Sequence, residues 1–511
     1  MSPLRITLLA GAALATLSAA APANAQSTED IGVEILQLLV DEGVLPRERA
    51  EQLLAKARQA AELRAQREQP STAQTIDVPY VPEALRAQIK EEVKEEVVAE
   101  AKTEGWIAPN VMPEWTNRIS LSGDFRVRYE VQSYAEDNFP FFPDVGAINL
   151  AGGVTDAEGF PLLNSTVNRH RFNYRARVDL GAKISDAVSV GLRLASGNER
   201  GAVSTNATMG DFFQKDNFWI DRAYITLQPV KQLKLTGGRI PNPFDATDMV
   251  WDFDINPEGV AANVRQAVTD DIELFGAGAF FPMQERQIFS DTYMVGGQLG
   301  VEARFGDGFS VKASGSYYDF VGIQSKKNPP DGSRLLDYTA PLFLDKGNSV
   351  FNVRTDGLTT LAGLASDYNL LIGNASIAYT SGERRFALTG EVVKNLAVDP
   401  DEIAQLRGEP GVEPGDLGWQ IRVDLGHPEI RKFGDWQIMA GYKRIETDAV
   451  LDIFTDSDFG LGGTDVKGYL IEGAFGIYKN TSIGVNWLST DAINRPPFSV
   501  DVLQLNLLTR F

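Results

Sequence analysis

Cysteine is absent from the 511-residue chain, which excludes disulfides, thiolate nucleophiles and Cys-ligated metals. Histidine is nearly absent. Of the 2 present, His170 alternates onto the apolar face of a strand and His427 lies in a short polar turn, HPEIRKFG. Neither neighbours a nucleophile in a loop, so Ser–His hydrolysis and a histidine metal centre are not expected. No catalytic residue, metal or cofactor is assigned. There is no P-loop, and GAGAF at 276–280 reads as a glycine-softened strand, not a nucleotide fingerprint. Positive charge is in deficit: 48 Lys and Arg against 69 Asp and Glu leave −21, which argues against nucleic acid as a partner. Beyond residue 25, no run reaches the roughly 18 apolar residues of a membrane helix.

What is present begins with MSPLRITLLAGAALATLSAAAPANAQ. Arg5, an apolar run and Ala23-Asn24-Ala25 make residues 1–25 a cleavable export signal. Residues 26–69 read as a helical hairpin, with Ile31, Ile35, Leu38 and Leu39 on one face, Gly43 as a C-cap and Pro46 opening the second helix. Residues 70–82 form a Pro-bearing linker. Residues 83–104 form a charged helix with Leu85, Ile89, Val93, Val97 and Ala101 at steps of four, a spacing that drifts around the helix instead of making a heptad seam. A self-associating helix and a solvated spacer are the alternatives there.

From Arg118 the period becomes two. RISLSGDFRVRYEV sets Ile119, Leu121, Phe125, Val127, Tyr129 and Val131 against Ser120, Ser122, Asp124, Arg126, Arg128 and Glu130. NRHRFNYRARVDLGA and GWQIRVDLG alternate in the same way. The polar face is rich in Arg, and aromatics end the apolar face, as suits membrane interfaces. Strands are expected near 118–133, 167–183, 186–197, 218–228, 232–239, 260–267, 271–281, 292–305, 308–320, 369–381, 384–395, 416–426, 433–446, 466–479, 481–489 and 501–511. Connections after odd strands read as long and those after even strands as short, a sorting that a soluble sandwich has no reason to make. The expected fold is therefore all-β: a 16-stranded antiparallel transmembrane β-barrel over 115–511, with an N-terminal periplasmic helical extension, in the outer membrane of a Gram-negative bacterium. The last stretch, DVLQLNLLTRF, keeps Leu503, Leu505, Leu507 and Phe511 on one parity, as a final strand that closes the ring requires.

The helical opening ILQLLVDEGVLPRERAEQLLAKA, WTNRISLSGDFRVRYE, GGRIPNPF, VWDFDINPEG and above all GDWQIMAGYKRIETDAVLDIFTDSDFGLGGTDVKGY resemble the Putative porin family of Gram-negative outer membranes. The resemblance implies a trimer-forming diffusion channel; it carries over no site residues. The partners expected are outer-membrane lipid and lipopolysaccharide, small hydrophilic solutes, a homotrimer and, through the helices, the cell wall. A channel preferring one anionic solute and a structural tether are the alternative readings.

Two clusters stand out for the lumen. Arg126, Arg128, Arg169, Arg171, Arg175, Arg177, Arg193 and Arg222 share the polar parity of the first four strands, a basic ladder that either lines the pore or pairs with Asp124, Glu130 and Asp179. Asp245, Asp248, Asp252, Asp254 and Glu258 occupy 240–259 without Lys or Arg. Folded inward as a constriction, that loop would pack Trp251 and Phe253 on the wall and face its acids toward Arg126, Arg128, Arg171 and Arg175. Residues 321–368 are the alternative constriction. Asp452, Asp456, Asp458 and Asp465 read as a solvated loop, since neither acidic stretch has EF-hand spacing.

Overall fold

The computed structural model describes residues 114–155, 159–197, 201–287, 289–411 and 413–511; the export signal, hairpin, linker and charged helix of the sequence reading lie outside them. Sixteen long strands form the wall. The first four are β1 (Ile119–Tyr134), β2 (Arg169–Lys183), β3 (Val188–Ala195) and β4 (Trp219–Val230). They are followed by β5 (Leu233–Arg239), β6 (Glu258–Ala267), β7 (Ile272–Gln284) and β8 (Thr292–Phe305). The second half holds β9 (Phe309–Val321), β10 (Asn369–Ser381), β11 (Arg384–Asn395) and β12 (Leu417–Gly426). The last four are β13 (Trp436–Ile445), β14 (Val466–Tyr478), β15 (Thr481–Ala492) and β16 (Ser499–Arg510). Each pairs antiparallel with its sequence neighbours, and a two-residue bridge at Ala207–Thr208 adds to β2.

Closure comes from β1 on β16, in register from Asp124↔Arg510 to Tyr134↔Val500. The terminal residue takes part: Gly123 N donates to Phe511 O at 3.0 Å and Phe511 N to Gly123 O at 3.1 Å. A Cβ on Gly123 would stand 2.7 Å from the Phe511 ring, so glycine leaves room for that ring against β1. A closed sheet leaves no backbone edge in lipid, where each unpaired group costs several kcal/mol.

Alternation sorts the side chains inside out. Leu121, Phe172, Leu299, Ile421 and Leu505 stand exposed on the outer face, whereas Glu130, Gln132, Gln298, Glu391, Gln420, Lys443 and Gln504 are buried on the inner one. That is the pattern a lipid exterior and a polar interior select. The loop-length rule has exceptions. The connections 285–291 and 493–498 on the long-loop side are shorter than the turn 427–435 on the other side.

Toward the long-loop end, taken as extracellular, the interior changes character. Tyr318, Phe320, Leu370, Ile372, Val393, Ile445, Val500 and Val502 from the wall pack with Phe244, Met249, Trp251, Leu344, Leu364, Val450, Leu451 and Phe459 from the loops 240–257, 322–368 and 446–465. The result is an apolar core inside the barrel mouth. Two short helices trim the loops: α1 (Val145–Leu150), capped by Asp144, and α2 (Pro400–Arg407), capped by Asp399 and ended by Gly408 in the left-handed region at φ 73°.

Candidate functional site

The loop 240–257 turns into the lumen and is held there by polar contacts as well as by the core. Asp245 N donates to Gln298 Oε1 of β8 at 2.8 Å, and Gln298 Nε2 returns a bond to Asp245 O at 2.8 Å. Thr247 donates through N and Oγ1 to Glu391 of β11 at 3.1 and 2.5 Å. Trp251 is 4% exposed and stacks on Phe454 with centroids 5.2 Å apart. The packing expected of Phe253 does not occur: it is 65% exposed and lines the cavity beneath the loop. Trp251 packs toward Tyr318 and Phe320, and the chain then turns, Ile255 N donating to Asp252 O at 3.0 Å, with Phe253 at the tip of the turn.

A second loop, 446–465, folds in beside the first. Asp252 N donates to Phe454 O at 2.7 Å, Asp456 N to Asp248 O at 3.2 Å and Ser457 N to Asp252 Oδ2 at 2.9 Å. The aspartates read from sequence as solvated are buried instead: Asp452 is 1% and Asp465 2% exposed. Asp456 and Asp458 reach the lumen.

The charged groups meet as follows. Asp245 pairs with Lys312 at 2.5 Å, and Lys443 sits between Asp248 and Asp456 at 3.1 and 3.2 Å. Asp254 pairs with Arg177 at 2.9 Å. Arg128 pairs with Asp458 at 2.8 Å, Arg171 with Glu130 at 2.6 Å, and Arg175 and Arg177 with Asp124 at 2.9 and 2.7 Å. Arg193 meets Asp179 at 2.8 Å, and Arg222 Nε donates to Asn256 Oδ1 at 2.6 Å. Arg169 stands exposed at the start of β2. Glu258 departs from the expectation. It opens β6 on the parity of the outward-facing Val260 and Val264 and pairs with Arg239 at 2.9 Å. A strand start fixes its side, so it cannot join the other four acids in the lumen.

Burial, with Asp456 and Asp254 beside it, raises the Asp252 carboxyl above the usual range. Burial also works against ionisation of Asp458, but Arg128 outweighs it and holds that carboxyl below the usual range.

Below the loops lies a cavity of about 680 Å³. Its wall carries Arg126, Lys312, Arg422, Asp424, Glu472 and the amides of Asn486 and Asn506, among others. Sequence reading missed Lys312, Lys443, Asp456, Asp458 and Glu472 as site residues. Lys312, Lys443 and Glu472 sit on the inward parity of their strands, a signal available from alternation alone. The inward turn of 446–465 had no comparable local signal.

The structure also gathers Glu383, His427 and Asp435 in the short turns, with ligand atoms within 4.8 Å of one another. His427 thus has neighbours the sequence did not suggest. Lys432 Nζ holds both Glu383 oxygens at 2.7 and 2.9 Å, so an ammonium already stands where a cation would.

Solved structures with a similar fold include OmpF of Salmonella typhi in complex with daunomycin, at 10% identity over 77% of this chain and 97% of that one, TM-score 0.41. A high-pH structure of Pseudomonas putida OprB gives 9% identity, 78% and 96% coverage and TM-score 0.45. The outer membrane channel DcaP of Acinetobacter baumannii gives 13% identity, 77% and 97% coverage and TM-score 0.40. No curated protein sequence matches the chain. A family described as Putative porin matches residues 29–511. With that match spanning nearly the whole chain and a closed barrel around a charged lumen, the chain belongs to the Putative porin family and is an outer-membrane channel.

Proposed function

We propose that this channel passes small hydrophilic solutes and ions by passive diffusion, with a selectivity set where the loops 240–257 and 446–465 narrow the lumen. The observation that carries the reading is the cavity beneath those loops, lined by fixed charges of both signs. Arg126, Arg128 and Arg175 come from one arc of the wall; Asp248, Asp252 and Asp456 come from the loops. Fixed charges this close are only partly screened by physiological salt. A dipolar solute is oriented between them, whereas an apolar one loses hydration without compensation. Many of the arginines are neutralised by a bonded carboxylate, so the net bias comes from those left over.

The channel works as a homotrimer in contact with lipid and lipopolysaccharide. Residues 26–104 stay in the periplasm, where they serve as a spacer or grip the cell wall. Insertion does not need it, because the closed sheet satisfies its own backbone. Deletion of 29–104 is therefore expected to leave an inserting barrel and to alter trimer stability or envelope attachment.

The test is conductance of the purified chain in a planar bilayer, with the reversal potential measured under a salt gradient. Stepwise, weakly selective conductance is expected. Protein that inserts and carries no current would overturn diffusion in favour of a structural tether.

A further inference from the structure

One aromatic in the lumen is out of place for a packing residue. Phe253 is 65% exposed, whereas Trp251 and Ile255 on either side of it are 4% and 5% exposed. Single exposed apolar residues on a convex surface need no explanation. This one faces into a concave cavity lined mostly by polar groups.

The same cavity holds a guanidinium without a counter-ion. Arg128, Arg171, Arg175, Arg177 and Arg193 each have a carboxylate within 4.0 Å. Arg126 has none among the described residues. Its Nη2 donates to Asn206 Oδ1 at 2.6 Å, and its Nε is buried against the wall without an acceptor. A short chain of contacts ties it to Phe253: Asn206 follows Thr205, and Thr205 N and Oγ1 each donate to Asp254 Oδ2 at 3.2 Å. Asp254 is the residue next to Phe253, and its other oxygen is taken by Arg177. The nearby acid is thus spent, and the guanidinium is not.

We infer that Phe253 and Arg126 form a subsite for aromatic carboxylates within the lumen. The inference rests on the channel reading and names the solute class that reading leaves open. The carboxylate accepts from the terminal N–H groups of Arg126 that Asn206 leaves free, a charge-assisted pair. The ring lies against Phe253 in an offset stack. A concave wall with one apolar surface and a few placed donors is the ordinary composition of a small-molecule site. Asn206 holds Arg126 in place, since its own Nδ2 donates to Ser204 Oγ at 3.1 Å. One observation points the other way. Glu472 also lines the cavity, without a hydrogen-bond partner among the described residues, and would favour an organic cation instead.

The test uses the full chain in a planar bilayer with KCl, adding benzoate, acetate or benzylammonium and reading block of the current. Benzoate is expected to block at concentrations about tenfold lower than acetate, the scale of one ring contact. Phe253→Ala removes that preference and leaves the acetate value unchanged. Arg126→Gln weakens both anions together and keeps their ratio. Titration calorimetry of the detergent-solubilised chain with benzoate reads the same site without current: heat of binding in the wild type, and binding about tenfold weaker in Phe253→Ala. Binding by calorimetry in a chain that conducts nothing upholds the subsite and overturns the channel. Equal block by benzoate and acetate, stronger block by benzylammonium, or benzoate preference surviving Phe253→Ala overturns the subsite while the channel stands.

Discussion

The two ends of the lumen are built on different principles. Toward the short turns it is a polar cavity. Toward the long loops it is an apolar core of the kind found inside soluble proteins. The same strands supply both. On the inward parity of β10, Leu370 and Ile372 give way to Asn374 and Ser376; on β16, Val500 and Val502 give way to Gln504 and Asn506. The lesson is that an inward face is not uniformly polar. Where loops cover it, the wall needs apolar partners to hold them; where solute passes, it needs hydrogen-bonding groups.

The strongest test of that contrast is at the boundary between the two halves. Lys443 is fully buried, with Asp248 and Asp456 as its partners and the Phe459 ring 4.8 Å from its ammonium. Lys443→Met leaves two carboxylates buried without a cation, and losing one member of a buried pair costs about 3–5 kcal/mol. The temperature at which the compact gel species converts to the unfolded one should drop sharply. Adding Asp248→Asn should recover part of the loss. An unchanged conversion temperature would mean that the loops are not held by these charges.

Within the apolar half, Trp251→Ala removes the ring packed on Phe454 and Tyr318. Large-to-small core changes of this kind cost about 3–5 kcal/mol, here confined to the loop core and so partly relieved by local opening. The barrel should still close, with faster proteolysis of 240–257 and larger, noisier conductance. Wild-type protease resistance would show that the core does not hold the loop in.

A smaller effect is expected from pH. Asp452 lies in the loop core with neither carboxylate oxygen hydrogen-bonded, and burial, then Asp345, pushes its carboxyl up to about 8. A raised acid binds its proton more tightly in the folded state, so the stability it contributes is fully present below the unfolded value and lost as pH rises toward 8. The slope has a ceiling of about 1.4 kcal/mol per pH unit. Melting followed from pH 5 to 9 should fall, and Asp452→Asn should flatten the fall. A steeper fall in the variant would reverse the assignment.

The smallest effect separates lumen from exterior. Glu258→Gln, in an exposed outward pair with Arg239, should change stability by less than about 1 kcal/mol and leave the reversal potential unmoved. Asp254→Asn removes one lumen carboxylate and leaves Arg177 only the Asp124 it shares with Arg175, and should shift the reversal potential toward anions. Equal shifts would put both acids on the same side of the wall.

The barrel was legible because lipid outside and polar groups inside write a period of two into every strand, and all sixteen expected strands coincide with wall strands of the structure. The terminal Phe511 could be placed on the outer parity for the same reason. The site was only half legible. Inward parity places Arg126, Arg128 and Arg175 in the lumen, and the same rule applied to β9, β13 and β14 would have added Lys312, Lys443 and Glu472. Glu258 was misplaced because its element was taken for loop.

Sequence by itself determined what repeats: strand number, which face each side chain takes, and the closure of the last strand on the first. These follow from nearest-neighbour geometry and one solvent boundary. Only the tertiary structure decided what does not repeat. That Asp458 rather than a residue of 240–259 meets Arg128, that Trp251 packs while Phe253 stands free, and that 446–465 folds inward depend on contacts between residues hundreds of positions apart. No local pattern encodes them, because their energy appears only once the ring has closed and brought the loops together over one opening.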